Sequence, residues 1–269
     1  EATQFLNQAE GAYVLAGGTD LMILLRRNVI DAKYIVDIKA IPEMDVLTYD
    51  DENGAVIGAR VVVNKLIETD WVRSKYPALH QGCESLASYQ LRNRATLVGN
   101  LCNASPGADL PPALLVYDAK LRIVGPQGER MVSLSEFFTG VKKTVLQKGE
   151  LVVSVHLPAP DADDKSVYLK QSRLKGHDLA TVGVACRKSG DGKVSAAVAA
   201  VAATPLRLFK LEEDLNARGL SEETIQWAAN EVKNHIKPIS DVRSSAEYRL
   251  HIAGVLLKRG LQKVSAKEG

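Results

Sequence analysis

"ATLVGNLCNASPGADLPPALL", Ala95 to Leu115, is apolar at both ends and crowded with turn formers in its middle. Gly99, Asn100, Asn103, Ser105, Pro106, Gly107 and Asp109 break any helical or strand period, so the run reads as neither element. Its ends are too apolar for a solvated linker, which makes it a loop held against a core. Gly99, Asn100, Asn103 and Ser105 are small, polar positions where a ligand could come close to the backbone. Asp109 could accept from sugar hydroxyls or a ring N–H. Taken alone, the run fits a proline-stiffened connection whose asparagines satisfy their own backbone at least as well.

A second loop lies upstream. "AYVLAGGTDLMILLRRN" reads as a strand, a glycine turn and a helix, with Thr19 or Asp20 placed to cap the helix through a side-chain oxygen. A glycine turn that opens a helix leaves backbone N–H groups unpaired next to the positive end of the helix dipole, which suits an anion. "AGGTD" is neither G-x-G-x-x-G nor a P-loop, and by itself a capped surface helix explains it.

The rest of the chain bounds the answer. Its 269 residues suffice for one large or two ordinary domains. At 46% apolar and 25% charged it is ordinary globular protein, and a net charge of +2 gives no reason to expect nucleic acid or an acidic membrane surface. No apolar run reaches bilayer length. Cys83, Cys102 and Cys186 are odd in number and widely spaced, which favours a reducing compartment over a disulfide framework. Without a C-x-x-C pair or H-E-x-x-H, neither an iron–sulfur cluster nor a zinc site is expected in this chain. "EATQFLNQAEG" reads as the end of a helix whose beginning is missing.

Further along, "KYIVDIK" reads as a strand, "MDVLTYDDENGAVIGAR" as a hairpin turning at Asn53-Gly54, and "VNKLIETDWVRSKYPALHQGCESLASY" as helix broken at Pro77. "AKLRIVGPQGERMVSL" is a second hairpin, and "ELVVSVHLPAP" a strand ended by its prolines. The acidic "PAPDADDKS" is the linker candidate. "SVYLKQSRL", "LATVGVACRK" and "KVSAAVAAVAA" then look like antiparallel strands, although the alanines of the third favour helix by propensity. Helices follow over 208–218, 221–235 and 244–264. Strands mixed with helices and a helical tail predict an α+β chain in two domains.

Taken together, the two loops resemble those of one family, the FAD-binding medium subunit of the molybdenum hydroxylases, relatives of xanthine, carbon monoxide and nicotinate dehydrogenases. "VLAGGTDL" matches its A-G-G-T-D-L, and "LRNRATLVGNLCNASPGADLPPALL" its R-N-x-A-T-I-G-G-N-L-x-x-A-S-P-x-A-D. "FFTGVKKTVLQKGELVVSVHLP", "YLKQSRLKGHDLATVGVA" and "RSSAEYRLHIAGVLLKRGL" resemble later family stretches in order, so the resemblance covers nearly the whole chain.

The resemblance implies a two-lobed FAD-binding domain of the vanillyl-alcohol-oxidase (PCMH) type over 1–160. It also implies a smaller C-terminal domain with an antiparallel sheet and three helices over 161–269. It places FAD on Val14, Leu15, Ala16, Gly17, Gly18, Thr19, Asp20 and Leu21, and on Thr96, Leu97, Val98, Gly99 and Asn100. Asp109, Val152, Lys170 and Ala87 are further contacts by position. No catalytic side chain and no metal ligand is expected. His177 reads as an exposed loop histidine, and Cys102 as a packed thiol. One departure stands out: Val98 replaces the first glycine of the family's T-I-G-G-N, and it would be strained if that position required positive φ. The inserted cluster-binding segment of 4-hydroxybenzoyl-CoA reductase is absent, so flavin alone is expected.

The implied activity is that of a cytoplasmic electron-transfer subunit. It would take electrons from a [2Fe–2S] subunit that serves a molybdopterin-binding subunit, in an assembly acting on xanthine or another N-heterocycle. A self-contained FAD oxidoreductase and a flavin-free scaffold are the competing readings.

Overall fold

The computed structural model describes residues 1–174 and 177–266. The first lobe is small. Helix α1 (Ala2–Gln8) leads into β1 (Ala12–Leu15), a glycine loop, α2 (Leu21–Arg26) and β2 (Tyr34–Asp37), with β1 and β2 paired in parallel.

The second lobe opens with the hairpin β3 (Leu47–Asp50) and β4 (Gly54–Gly58). The predicted long helical stretch is four short pieces: α3 (Val63–Ile67), α4 (Asp70–Lys75), α5 (Pro77–Ser85) and α6 (Tyr89–Arg92). Pro77 starts α5 rather than merely breaking a helix, since the first turn needs no N–H from it. The Ala95–Leu115 stretch, expected to lack regular structure, holds two helices, α7 (Leu97–Cys102) and α8 (Leu110–Val116). Thr96 caps α7 by accepting from the Gly99 N–H at 3.0 Å, and Pro111 and Pro112 occupy the donor-free first turn of α8. The turn formers therefore mark helix starts as well as the loop between them.

Next come β5 (Lys120–Gly125), β6 (Gly128–Ser133), α9 (Leu134–Phe137), a tight hairpin of β7 (Phe138–Gly140) and β8 (Lys143–Thr144), and β9 (Leu151–Leu157). The antiparallel order β3-β4-β9-β5-β6 puts β9 in the middle, which explains its nearly unbroken apolar run.

The acidic connection after β9 is pinned. Asp164 is buried against Arg187 at 2.8 Å, and Tyr76 donates from its hydroxyl to Pro158 O at 2.9 Å. Strands β10 (Lys165–Gln171), β11 (Val182–Lys188), β12 (Val194–Ala199) and β13 (Leu206–Arg207) form an antiparallel sheet in chain order. Helices α10 (Phe209–Arg218), α11 (Glu222–Glu231) and α12 (Ala246–Ser265) follow.

This sheet is covered on both faces. Val182, Val184, Cys186, Ala196 and Val198 pack with α10–α12, while Tyr168, Ala185 and Ala197 join the core of the preceding domain. Alternation onto two dry faces makes the alanine-rich β12 a strand, against its helix propensity. Arg187 and Arg207 bind the carbonyls of Val116 and Leu115, closing the end of α8 from the other domain. Among the described residues, no helix is long and apolar enough to cross a membrane.

Candidate cofactor site

A cavity of about 660 Å³ opens between the two lobes and the edge of the C-terminal sheet. That is within the usual range for small-molecule sites. Of the residues singled out in the sequence, Val14, Ala16, Gly17, Gly18, Thr19, Asp20, Leu21, Ala87, Thr96, Val98, Gly99, Asn100, Asp109 and Val152 line it. Leu15, Leu97 and Lys170 do not. Leu97 is fully buried in the core, and Leu15 holds the lobe together by accepting from the Ile38 N–H at 3.1 Å.

The glycine loop is shaped by contact with the second stretch. A β-carbon on Gly17 would lie 1.9 Å from Arg94 O, so the two backbones touch there and only glycine fits. Gly18 has φ +76°, the left-handed region that glycine tolerates. The resulting turn leaves a row of donors: among the described residues, nothing accepts from the backbone N–H of Gly17, Gly18, Thr19 or Asp20. Buried or half-buried unpaired donors normally find a partner. On the facing wall, Asn100 Oδ1 is buried without one. With only six residues, α2 adds little dipole, so the N–H row itself makes the site.

Asp20 stands at the N-cap of α2 but does not cap it. Its Oδ1 accepts from Asn103 Nδ2 at 2.9 Å, tying the first loop to the second. Val98 is in α7 with ordinary helical backbone and is 4% exposed in the core. Its φ is not positive, so the valine is unstrained and its side chain packs.

The cavity floor is Asp109, 5% exposed. It accepts from Tyr168 Oη at 2.8 Å and from Lys170 Nζ at 3.0 Å. Lys170, which also donates to Ser85 O at 2.9 Å, is thus engaged behind the wall. Burial pushes the Asp109 carboxyl up, while Lys170 and Tyr168 pull it back. Burial also drives the Tyr168 phenol well up, so it stays a donor. Ala87, at φ +47°, forms part of the rim, and Arg92 holds that rim through the carbonyls of Leu86 at 2.9 Å and Ala87 at 3.2 Å.

Two further carboxylates at the cavity are paired, and Cys102 is buried. Glu150 is held below the usual carboxylate range by Arg130 at 2.8 Å. Arg173 holds the Asp178 carboxyl down to about 2. Burial pushes the Cys102 thiol up to about 12, so it is a packed thiol. His177 is exposed at the rim; Lys175 and Gly176 lie outside the described residues. No cluster of metal-binding side chains occurs among the described residues. The arrangement binds and orients. Ile38, Ala59, Lys142 and Leu146 are among the lining residues that sequence reasoning did not single out. Ile38 and Ala59 belong to no motif, while Lys142 and Leu146 lie in the "FFTGVKKTVLQKGELVV" stretch, for which the resemblance names no contact at either residue.

Comparison with known proteins agrees with this geometry. A family profile described as the FAD binding domain in molybdopterin dehydrogenase matches residues 1–160. A second, the CO dehydrogenase flavoprotein C-terminal domain, matches 167–264. The chain is 32% identical over 274 residues to the xanthine dehydrogenase FAD-binding subunit of Escherichia coli O157:H7, covering 100% of this chain and 94% of that one. It is 31% identical over 268 residues to the glyceraldehyde dehydrogenase medium chain of Sulfolobus acidocaldarius, covering 98% and 95%. Among solved structures, carbon monoxide dehydrogenase from Hydrogenophaga pseudoflava superposes with a TM-score of 0.92 at 31% identity, covering 98% of this chain and 93% of that one.

Proposed function

Because the chain belongs to the family of FAD-binding medium subunits of the molybdenum hydroxylases, we propose that it is the electron-transfer subunit of such a complex. In this reading it takes electrons from a [2Fe–2S] subunit, itself supplied by a molybdopterin-binding subunit, and delivers them to a terminal acceptor. The observation that carries the reading is the row of N–H groups from Gly17 to Asp20, unpaired among the described residues and wedged by Gly17 against Arg94 at the edge of the cavity.

FAD, when bound, supplies redox chemistry that couples one-electron and two-electron partners. The chain's part is positional. Gly17, Gly18, Thr19 and Asp20 donate backbone N–H groups to the diphosphate, with Val14, Ala16 and Leu21 walling that end. Thr96, Val98, Gly99 and Asn100 form the opposite wall, where Asn100 Oδ1 accepts from the cofactor. Leu15 and Leu97 hold the two loops from behind. Ala87 and Val152 would border the cofactor, Asp109 would accept from it at the floor, and Lys170 holds Asp109 in place. We take 1–160 as the FAD-binding domain and 161–269 as the C-terminal domain.

We place the assembly in the cytoplasm, in keeping with three unpaired cysteines. Our reading of the substrate is xanthine or a related N-heterocycle; its pocket would lie on the molybdenum-bearing chain. Gentle purification from the native source tests the whole. FAD, iron and molybdenum should co-elute, with all flavin released by acid because the cofactor is held without a covalent bond. Substrate should bleach the flavin in the complex and not in the isolated chain. A lone flavoprotein that turns over its own substrate would refute the proposal.

A further inference from the structure

Lys142 is the one lysine or arginine among the described residues lining the cavity. It sits at the turn between β7 and β8 with φ +58°, a left-handed backbone that a side-chain-bearing residue keeps only where its surroundings impose it. The surroundings here are the second loop. The Lys142 N–H donates to Ala104 O at 3.0 Å, and Ala104 is itself left-handed at φ +45°. Lys142 Nζ donates to Asn103 Oδ1 at 2.9 Å, and Asn103 Nδ2 donates to Asp20 Oδ1 at 2.9 Å. One residue thus grips Asn103–Ala104 twice, and the chain Lys142–Asn103–Asp20 runs across three separate segments of the wall.

The charges explain why such a grip is useful. Four acids face the cavity: Asp20, Asp109, Glu150 and Asp178. Three have a cation of their own, in Lys170, Arg130 and Arg173. Among the described residues Asp20 has none in direct contact, and it belongs to the loop whose N–H row would receive a diphosphate. Neutral N–H groups cannot cancel both a carboxylate and a dianion. Partial desolvation pushes the pKa of the Lys142 ammonium down, while the charge of Asp20 opposes that shift.

We propose that Lys142 is a specificity-determining residue of the cofactor site: its ammonium, steered by Asn103, offsets Asp20 and supplies the side-chain charge that makes this cavity select a diphosphate-bearing flavin. The inference rests on the FAD reading above and deepens it.

The test uses the full chain stripped of flavin, titrated with FAD and with uncharged riboflavin over a series of NaCl concentrations. Lys142→Gln can keep a donor toward Asn103 while losing the charge; Lys142→Arg keeps the charge. Lys142→Gln should weaken FAD about tenfold at low salt and flatten the salt dependence of its Kd, with riboflavin unchanged. Lys142→Arg should stay within about threefold of wild type for FAD. Adding Asp20→Asn to Lys142→Gln should recover most of the lost affinity. Equal weakening of FAD and riboflavin, an unaltered salt dependence, or no loss at all would overturn the proposal by making Lys142 a scaffold residue. If Lys142→Gln does not fold, Lys142→Met is measured in its place against the same outcomes. A wild-type chain that takes up no FAD would instead bring down the FAD reading itself.

Discussion

Gly17→Ala is the sharpest perturbation the structure offers. The added methyl would sit 1.9 Å from Arg94 O, 2.7 Å from Arg94 C and 3.1 Å from Ala95 Cα, all of them backbone. That strand of chain cannot yield easily. Arg94 and Ala95 both donate to Leu91 O, at 2.9 and 2.8 Å, and Ala95 O accepts from the Val63 N–H at 2.9 Å. The glycine loop must therefore retreat by about 1 Å to reach even a tight contact, which overpacking studies put at about 1–3 kcal/mol of stability. A shift of that size misaligns the N–H row. Losing two bonds to a charged group, at about 1.5 kcal/mol each, gives about 3 kcal/mol, or more than a hundredfold in FAD affinity. Flavin content after gel filtration and the melting temperature of the flavin-free chain read the two effects separately. Gly192→Ala is the control, since its φ of +86° strains an alanine while nothing lies within 4 Å, so it should cost stability and leave flavin alone. Gly18→Ala should fall between them, because its φ of +76° strains an alanine while the added carbon meets only side-chain atoms, the end of Leu15 at 2.9 Å and Met22 Cγ at 3.3 Å. Gly17→Ala protein that holds a full complement of FAD would refute the claim that the two loops are fixed by this contact.

Other outcomes follow from the same geometry. Val98→Gly, which restores the residue the family carries there, should lower stability by about 2 kcal/mol in urea unfolding and bring no gain in FAD affinity, because Val98 is a buried helical residue. Asp109→Ala leaves the buried Lys170 ammonium without its partner and should cost about 3–5 kcal/mol, whereas adding Lys170→Met should recover part of that loss. Asp241 is buried enough for desolvation to oppose its charge, but Arg243 and Arg249 together hold its carboxyl far below the usual range. A depressed folded-state pKa means the stabilisation is present above pH of about 4 and lost as pH falls below it. Asp241→Asn should therefore be about 1–3 kcal/mol less stable than wild type at pH 7, with the gap narrowing steadily in acid; a gap independent of pH would discount the ion pairs.

The parts of the fold that sequence made legible are those set by local chemistry. Asn53-Gly54 ends one hairpin, Gly125 and Gly128 bound the other, and Pro158 closes β9. Residues whose state depends on distant partners were harder to read. The alanines of β12 point to helix until both faces are seen to be covered. Asp20 has the residue type and position of a helix cap, yet a side chain 83 residues away claims its carboxylate. Val98 departs from a glycine motif, and only its helical backbone shows that no positive φ is required there. Lys170 was matched by position to a cofactor contact, but position does not reveal that Asp109 and Ser85 already occupy its ammonium. Lys142 lies in a family-like stretch but is not one of its pattern residues, and its importance lies in a bond to Asn103.

The grip of Tyr168 and Lys170 on Asp109 also sets a timetable for synthesis. The two glycine loops leave the ribosome early, but the floor of the cavity is finished by residues about sixty positions later, and β11 beneath it is covered only when α12 arrives. Arg249, which donates to Thr181 O and Ala200 O at 2.8 Å, lies 149 residues beyond Asn100. At about 5–20 residues per second, that interval is roughly 7–30 seconds. During it the apolar lining of the cavity stands open to water and to other nascent chains. A ribosome-bound fragment ending before α12 should expose this surface to a chaperone, and the same fragment extended through residue 266 and clear of the exit tunnel should not.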